Sequence, residues 1–256
     1  RKEKPNCYQN GCKNMFGIDN VQKNRTRNIR ILLVSSISFW ILVVVSAWFF
    51  HVYSGRSRIL LPFISETNTD YIEGTISKVG FTLVGLTYPI IGWHIFQSKK
   101  MEIKRSNCGK NQILLNKLAL VVCIFQAINI IIIAYLPWSE YPIPHAIFAN
   151  FVFTGGLIWA LLYHKLNNDI DYDLEDKRTN HNLRSNLFVV WFVGIGLMIV
   201  GFFSAIMQNA NLLHTLAFDT VRTEMLIAAI GEWIMFFASM AVFYTFYEDI
   251  LDLEND

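Results

Sequence analysis

The chain has 256 residues, 53% of them hydrophobic and 14% aromatic, with a formal charge of +2 and a mean hydropathy of +0.34. These values fit a membrane protein better than a soluble one, and so small a net charge gives no reason to expect nucleic acid as a partner. Four cysteines, Cys7, Cys12, Cys108 and Cys123, fall in no segment expected outside the cell, so no disulfide framework is expected.

Arg1 to Arg30 is polar, Asn-rich and basic, and reads as a mostly flexible tail. Residues 1–28 are assigned to it as a basic cytosolic region. Cys7 and Cys12 stand within it with four residues between them, without a second ligand pair nearby, so no metal site is expected; reversible palmitoylation suits cytosolic cysteines of this kind. Asn24-Arg25-Thr26 matches a glycosylation sequon that the cytosol would leave silent. The chain opens on Arg1 rather than Met, which leaves upstream targeting signals unread. No cleavable signal peptide is expected, because the first apolar run, from near Ile29, is full length.

Six apolar runs follow, at about 31–52, 75–96, 113–136, 143–166, 187–207 and 225–247. Each is near the ~20 residues that a membrane span needs. The expected fold is therefore all-α: a polytopic six-helix transmembrane bundle over 29–249, with an acidic cytosolic tail over 250–256. The lysines and arginines set its orientation. Eight precede the first run, six lie from Phe96 to Lys117, and four from Lys165 to Arg184. The other side holds only Arg56, Arg58, Lys78 and Arg222. The positive-inside rule then puts both termini in the cytosol, and an even number of spans agrees. Three outer connections result: 53–74, the tight turn 137–142, and 208–224.

The sixth run, Met225 to Tyr247, carries a single charge, Glu232. It is apolar all round, so its surroundings must be lipid or protein. A bare carboxylate at that depth is costly; it should face other helices, be protonated or have a partner. Small residues at Gly156 and Ala160, at Gly201 and Ala205, and at Gly194 and Gly196 suit close helix packing. Gln126, Asn129 and Asn150 are expected to bond across helices or to line a path for lipid or ions. His51, His145 and His214 map to outer span ends and loops, near Glu66, Asp70, Glu73, Asp219 and Glu224. Their spacing matches no known zinc motif. His94 and His164 read as interface residues close to the cytosol. No nucleophile elbow, P-loop or dinucleotide fingerprint occurs, and no cofactor is expected. The inner loop around Lys99, Lys100, Lys104 and Arg105 can attract anionic lipid headgroups or simply fix topology. Cys108 in the same loop is a further palmitoylation candidate.

Three stretches carry a family resemblance. The first outer loop reads Leu61-Pro62-Phe63-Ile64-Ser65-Glu66-Thr67, His145 opens HAIFANFVFTGGLIWALLYHKL, and Gly231-Glu232-Trp233 sits in the last span. In this order they resemble the Frag/DRAM/Sfk family of six-span proteins, close to the damage-regulated autophagy modulators. The likeness runs over about 29–249 and leaves out the basic tail. It implies a lysosomal, endosomal or plasma-membrane protein without a settled catalytic activity. Family roles include promoting autophagy, organising phosphoinositide kinase recruitment and remodelling GPI-anchor lipids. The remodelling branch lacks the Pro-Phe-Ile-Ser-Glu form of the loop and is less similar.

Two functional readings follow. The first is a non-enzymatic membrane regulator that acts through membrane lipids or a cytosolic or membrane protein partner. The second is an intramembrane enzyme or transporter of lipid with Glu232 as its working acid. Physically, Pro62 restricts the loop, while Ser65 and Thr67 can hold a turn. Phe63 and Ile64 are apolar residues on water-facing ground. They are expected to dip into the bundle mouth near Glu232 and Trp233, either as a structural plug or as a lid over a ligand site.

Overall fold

The computed structural model describes residues 15–57, 61–68, 71–105, 109–170, 175–208 and 222–250. The described residues form six long helices: α1 (Met15–Tyr53), α2 (Ile72–Arg105), α3 (Lys110–Ala134), α4 (Pro142–Asp169), α5 (Glu175–Gln208) and α6 (Arg222–Asp249). A short 3-10 turn, Ser65–Thr67, lies between α1 and α2. No strand occurs among the described residues. All six helices are long and apolar enough to cross a bilayer, as expected. The protein is a multi-pass integral membrane protein.

Several helices outrun their apolar runs. The largest difference is at α1, which begins at Met15, so the second half of the stretch read as a flexible tail is helical. No Pro or Gly interrupts 18–53, and a helix with no breaker continues past the point where its side chains turn polar. The start of the α1 span and the end of α6 share one end of the bundle, where the Arg30 guanidinium lies 4.8 Å from the Tyr247 ring centroid.

The chain lays down α1 to α4 as successive neighbours, and α5 pairs closely with α6. α6 also touches α1 and α4, whereas α4 and α5 scarcely meet. α6 is consequently the most enclosed helix: 61% of its span is buried, against 22–44% in the others. An aromatic core surrounds it. Trp159 packs on Phe246 and Phe243 at 4.9 and 5.3 Å between ring centroids, and Trp40 meets Phe236 edge-on at 5.9 Å.

The α5–α6 contact depends on glycine. A Cβ on Gly231 would fall 2.6 Å from both the Gly194 carbonyl oxygen and the Met198 nitrogen, and one on Gly201 would fall 2.5 Å from the Glu224 oxygen. Backbones can come this close only where side chains are absent. Gly196 is different: a Cβ there would meet nothing within 4 Å. Two residues along a helix is about half a turn, so Gly196 faces away from the side that Gly194 uses.

The polar residues inside the spans divide in the same way. Gln126 bonds across helices, its Nε2 donating to the Val152 oxygen at 3.0 Å. Asn129 and Asn150 instead donate to carbonyls one turn back on their own helices, Phe125 and Ala146. The amide of Asn or Gln reaches the i−4 carbonyl readily when no partner helix offers a better acceptor. Arg184, counted from sequence among the loop-side charges, is buried in α5. Its Nε donates to Thr245 Oγ1 at 2.8 Å and its guanidinium lies over the Phe246 ring at 4.1 Å.

Candidate functional site

At the end of the bundle that carries the connection between α1 and α2, residues 62–68 turn inward. Pro62 restricts the approach. The backbone then tightens: the Glu66 N–H donates to the Phe63 oxygen at 3.1 Å and the Thr67 N–H to the Ile64 oxygen at 3.3 Å. Two side chains reinforce the turn, Glu66 Oε2 accepting the Phe63 N–H and Thr67 Oγ1 donating to the Ile64 oxygen, each at 2.7 Å.

The turn is fastened to α6 by consecutive residues. Glu232 Oε2 accepts the Ile64 N–H at 2.7 Å, and the Trp233 indole N–H donates to the Pro62 oxygen at 2.9 Å. Asn68 fastens it to α3, donating to the Ile133 and Ala134 oxygens at 3.2 and 3.1 Å. Those carbonyls lie in the last turn of α3, where the helix leaves acceptors unpaired.

Phe63 and Ile64 are 4% and 7% exposed, so the two apolar residues of the loop have found cover. They go separate ways. Phe63 stacks on Phe202 at 5.4 Å and joins a cluster with Ala205, Met225, Ala228 and Ala229, while Ile64 enters the main core. Burial of each is worth roughly 1.5–3 kcal/mol.

His145, at the start of α4, is 2% exposed. Its Nδ1 bonds the Leu136 carbonyl. A carbonyl only accepts, so Nδ1 carries a proton, and the ring in its neutral form presents Nε2 as an acceptor. The ring packs edge-on against Trp138 at 5.7 Å.

Two cavities adjoin this assembly. The first, of about 50 Å³, lies among Trp40, Ile64, Gln126, His145, Trp191 and Glu232. It has room for one or two waters. The second, of about 340 Å³, is bounded by Phe63 and Ser65 from the turn, Trp138, one face of α4 and one of α5, with Glu232 at its edge. The mouth is therefore neither solid nor open: the turn is clasped to α6, and space remains beside it.

Of the residues singled out from sequence, Pro62, Phe63, Ile64, Ser65, Glu66, His145, Glu232 and Trp233 gather at this end. Lys99, Lys100 and Lys104 lie elsewhere, near the far end of α2. Lys99 is 3% exposed and bridges Glu102 at 2.8 Å, whereas Lys100 and Lys104 are exposed. The side chain of Arg105 and the cysteines Cys7, Cys12 and Cys108 lie outside the described residues, as do Asp70, His214 and Asp219.

A further cluster was not foreseen. Glu73, fully buried, is gripped by Arg56 through Nε and Nη2, both at 2.7 Å, and touched by His51 Nδ1 at 3.3 Å. The hydrogen bond to Glu73 raises the Arg56 guanidinium above its ordinary value. Arg56 also lies over the Tyr71 ring at 4.2 Å. The clamp ties the end of α1 to the start of α2 and so fixes both ends of the inward loop. Opposite charges flanking one loop, at 56 and 73, were the available signal. Among the described residues no group of three or more His, Cys, Asp or Glu side chains is placed to hold a metal.

Six membrane-crossing helices with a loop tied into one mouth by a buried acid–tryptophan pair define a polytopic membrane protein with its first loop fastened inside the bundle. The chain belongs to the Frag1/DRAM/Sfk1/Cwh43P family: the family's N-terminal domain matches residues 28–253, which takes in all six spans. No curated protein and no solved structure matches the chain.

Proposed function

We propose that the protein is a non-enzymatic membrane regulator that holds a membrane lipid beside the Pro62–Thr67 turn. In this reading it works through lipid or protein partners in autophagic, lysosomal or phosphoinositide-linked membrane organisation, in a lysosomal, endosomal or plasma membrane. The observation that carries the reading is the cavity of about 340 Å³ beside the clasped turn, lined mostly by apolar side chains of α4 and α5. That volume lies within the range of ligand sites, about 300–1,000 Å³. The duty of Glu232 favours binding over chemistry, because one carboxyl oxygen already holds the Ile64 N–H.

The reading includes an orientation. Both termini face the cytosol, with 1–28 and 250–256 as cytosolic tails on a bundle over 29–249, and the turn faces the lumen or exterior. Exposed Lys100 and Lys104 then serve anionic headgroups or a partner at the cytosolic surface, and Cys7, Cys12 and Cys108 are available for acylation.

A second reading, a lipid-remodelling enzyme or lipid transporter, draws on one observation: Glu232 borders both cavities, so a ligand can reach its carboxyl. Glu232→Gln separates the two. A regulator keeps partner recruitment in a pull-down at normal expression, and lipid turnover is unchanged. Loss of lipid turnover with recruitment intact makes the enzyme reading the right one.

A further inference from the structure

The larger cavity has a polar corner. His145 Nε2 and the Trp138 indole N–H are both buried without a hydrogen-bond partner. Their rings are 5.7 Å apart and both line this cavity. One atom is an acceptor and the other a donor. A buried polar atom left unpaired costs free energy, and two of opposite sense on neighbouring rings call for a group that both donates and accepts. A hydroxyl does so.

Ser65, Asn150 and Glu232 also border the cavity, but most of the described wall is apolar, with Phe63, Phe153, Met198, Phe202, Phe203 and Ile206, and neither lysine nor arginine is among the described lining residues. Among these residues a phosphate would find no lysine or arginine and would meet the Glu232 carboxyl instead. Water alone would satisfy the corner but not the apolar remainder. The cavity lies where α4 and α5 scarcely meet, and on its rim Phe203 and Ile199 are 65% and 57% exposed. Among the described residues, then, the opening is sideways, toward lipid.

We propose that the cleft between α4 and α5 binds a neutral membrane lipid by its free hydroxyl, which donates to His145 Nε2 and accepts from the Trp138 indole. The lipid's apolar body lies along Phe153, Met198 and Phe202. This rests on the lipid-holding reading above and adds the ligand class and its way in: a hydroxyl on an apolar body, as in a sterol, a diacylglycerol or a ceramide, entering from within the bilayer.

The test is photo-crosslinking of the full chain in nanodiscs. The probes are photoactivatable sterol, diacylglycerol, ceramide and phosphatidylserine, with the O-methyl ether of the sterol as a hydroxyl-blocked control, and labelled peptides are mapped. At least one hydroxyl probe should label 145–153 or 198–206, and the probe that does so identifies the source. Phosphatidylserine and the methyl ether should label these peptides at least tenfold less. Ala149→Trp, at a half-buried position on the cavity wall, should abolish the labelling. His145→Leu should reduce it about tenfold. His145→Gln, whose amide can donate to Leu136 while its oxygen accepts, should hold it within about threefold. Because His145→Leu can also disturb folding, its melting temperature is read alongside; the Ala149→Trp and methyl-ether results decide the matter without it. Equal labelling by phosphatidylserine or by the methyl ether overturns the hydroxyl assignment while leaving a lipid cleft. No labelling of these peptides by any probe overturns the lipid-holding reading itself.

Discussion

Glu232 and Ile64 stand 168 residues apart in sequence and 2.7 Å apart in space, joined by a backbone N–H and a carboxyl oxygen. One position further along α6, Trp233 returns a bond in the opposite sense, indole N–H to the Pro62 oxygen. The pair makes a two-point clasp, one acceptor and one donor from adjacent residues. It satisfies two backbone groups that the inward loop would otherwise bury unpaired. The acid at this depth is thus part of the fold.

Replacement of Glu232 tests the clasp. Gln keeps an oxygen that can accept the Ile64 N–H, and the expected cost is below about 1 kcal/mol. Leu leaves that N–H buried without an acceptor, at about 1–3 kcal/mol. Thermal melts in detergent should rank wild type, then Glu232→Gln, then Glu232→Leu. A Leu variant as stable as the Gln variant is incompatible with the clasp.

Phe63 and Trp233 hold the same turn by different means, and their variants should differ in size. Phe63→Ala removes a buried ring stacked on Phe202, at about 3–5 kcal/mol if the site does not collapse. Trp233→Phe keeps most of the ring packing but loses the bond to Pro62, at about 1 kcal/mol. Since the turn is a loop, the loss should appear first as local opening. Hydrogen exchange at 62–68 should quicken more in Phe63→Ala than in Trp233→Phe, with exchange in the α3 interior unchanged. Faster exchange in both regions at once would mean that the turn and the bundle open as one unit.

The six spans were legible because an unbroken apolar run of about 20 residues is a strong, local signal. Glu232 was legible for the same reason, as one charge in an apolar helix. Its partner was not, because a backbone N–H has no signature in sequence. Asn129 and Asn150 were read as bonding across helices or lining a path, but sequence does not say which face of a helix meets a neighbour; both turn to their own carbonyls, and Asn150 also borders the larger cavity. Gly196 was misplaced for want of the same information. The Arg56–Glu73 clamp was missed because each charge was considered alone, Arg56 for topology and Glu73 for metal binding. The gap between α4 and α5 could not be read at all, since it depends on where α6 packs.

Glycine at the α5–α6 contact yields a paired prediction. Gly231→Ala places a methyl where backbone atoms of α5 already lie at 2.6 Å, and the forced separation should cost about 1–3 kcal/mol. Gly196→Ala meets open space and should be neutral, or stabilising by up to about 1 kcal/mol through better helix propensity. Detergent melts of the two variants measure both. If Gly231→Ala melts no lower than Gly196→Ala, the close backbone approach is not present in the protein.

Orientation is the last prediction. The turn, Gly55, Ser139 and Glu140 belong to one end of the bundle, and Lys100, Lys104 and Lys110 to the other, as alternation of the six helices requires. The charge count assigns the second end to the cytosol, because the lysine and arginine bias of short loops governs insertion. Single cysteines are to be introduced at Gly55 and Ser139, and separately at Lys104 and Lys110, in a background with Cys7, Cys12, Cys108 and Cys123 replaced. All four positions are exposed, so a failure to label reports sidedness rather than burial. An impermeant maleimide should reach the cysteines at 55 and 139 from outside intact cells, or from the lumen of opened organelles. Those at 104 and 110 should label only after the cytosolic face is made accessible. Labelling of position 104 from the outer or luminal side would turn the bundle over, placing the clasped turn in the cytosol and leaving Lys100 and Lys104 away from the anionic leaflet.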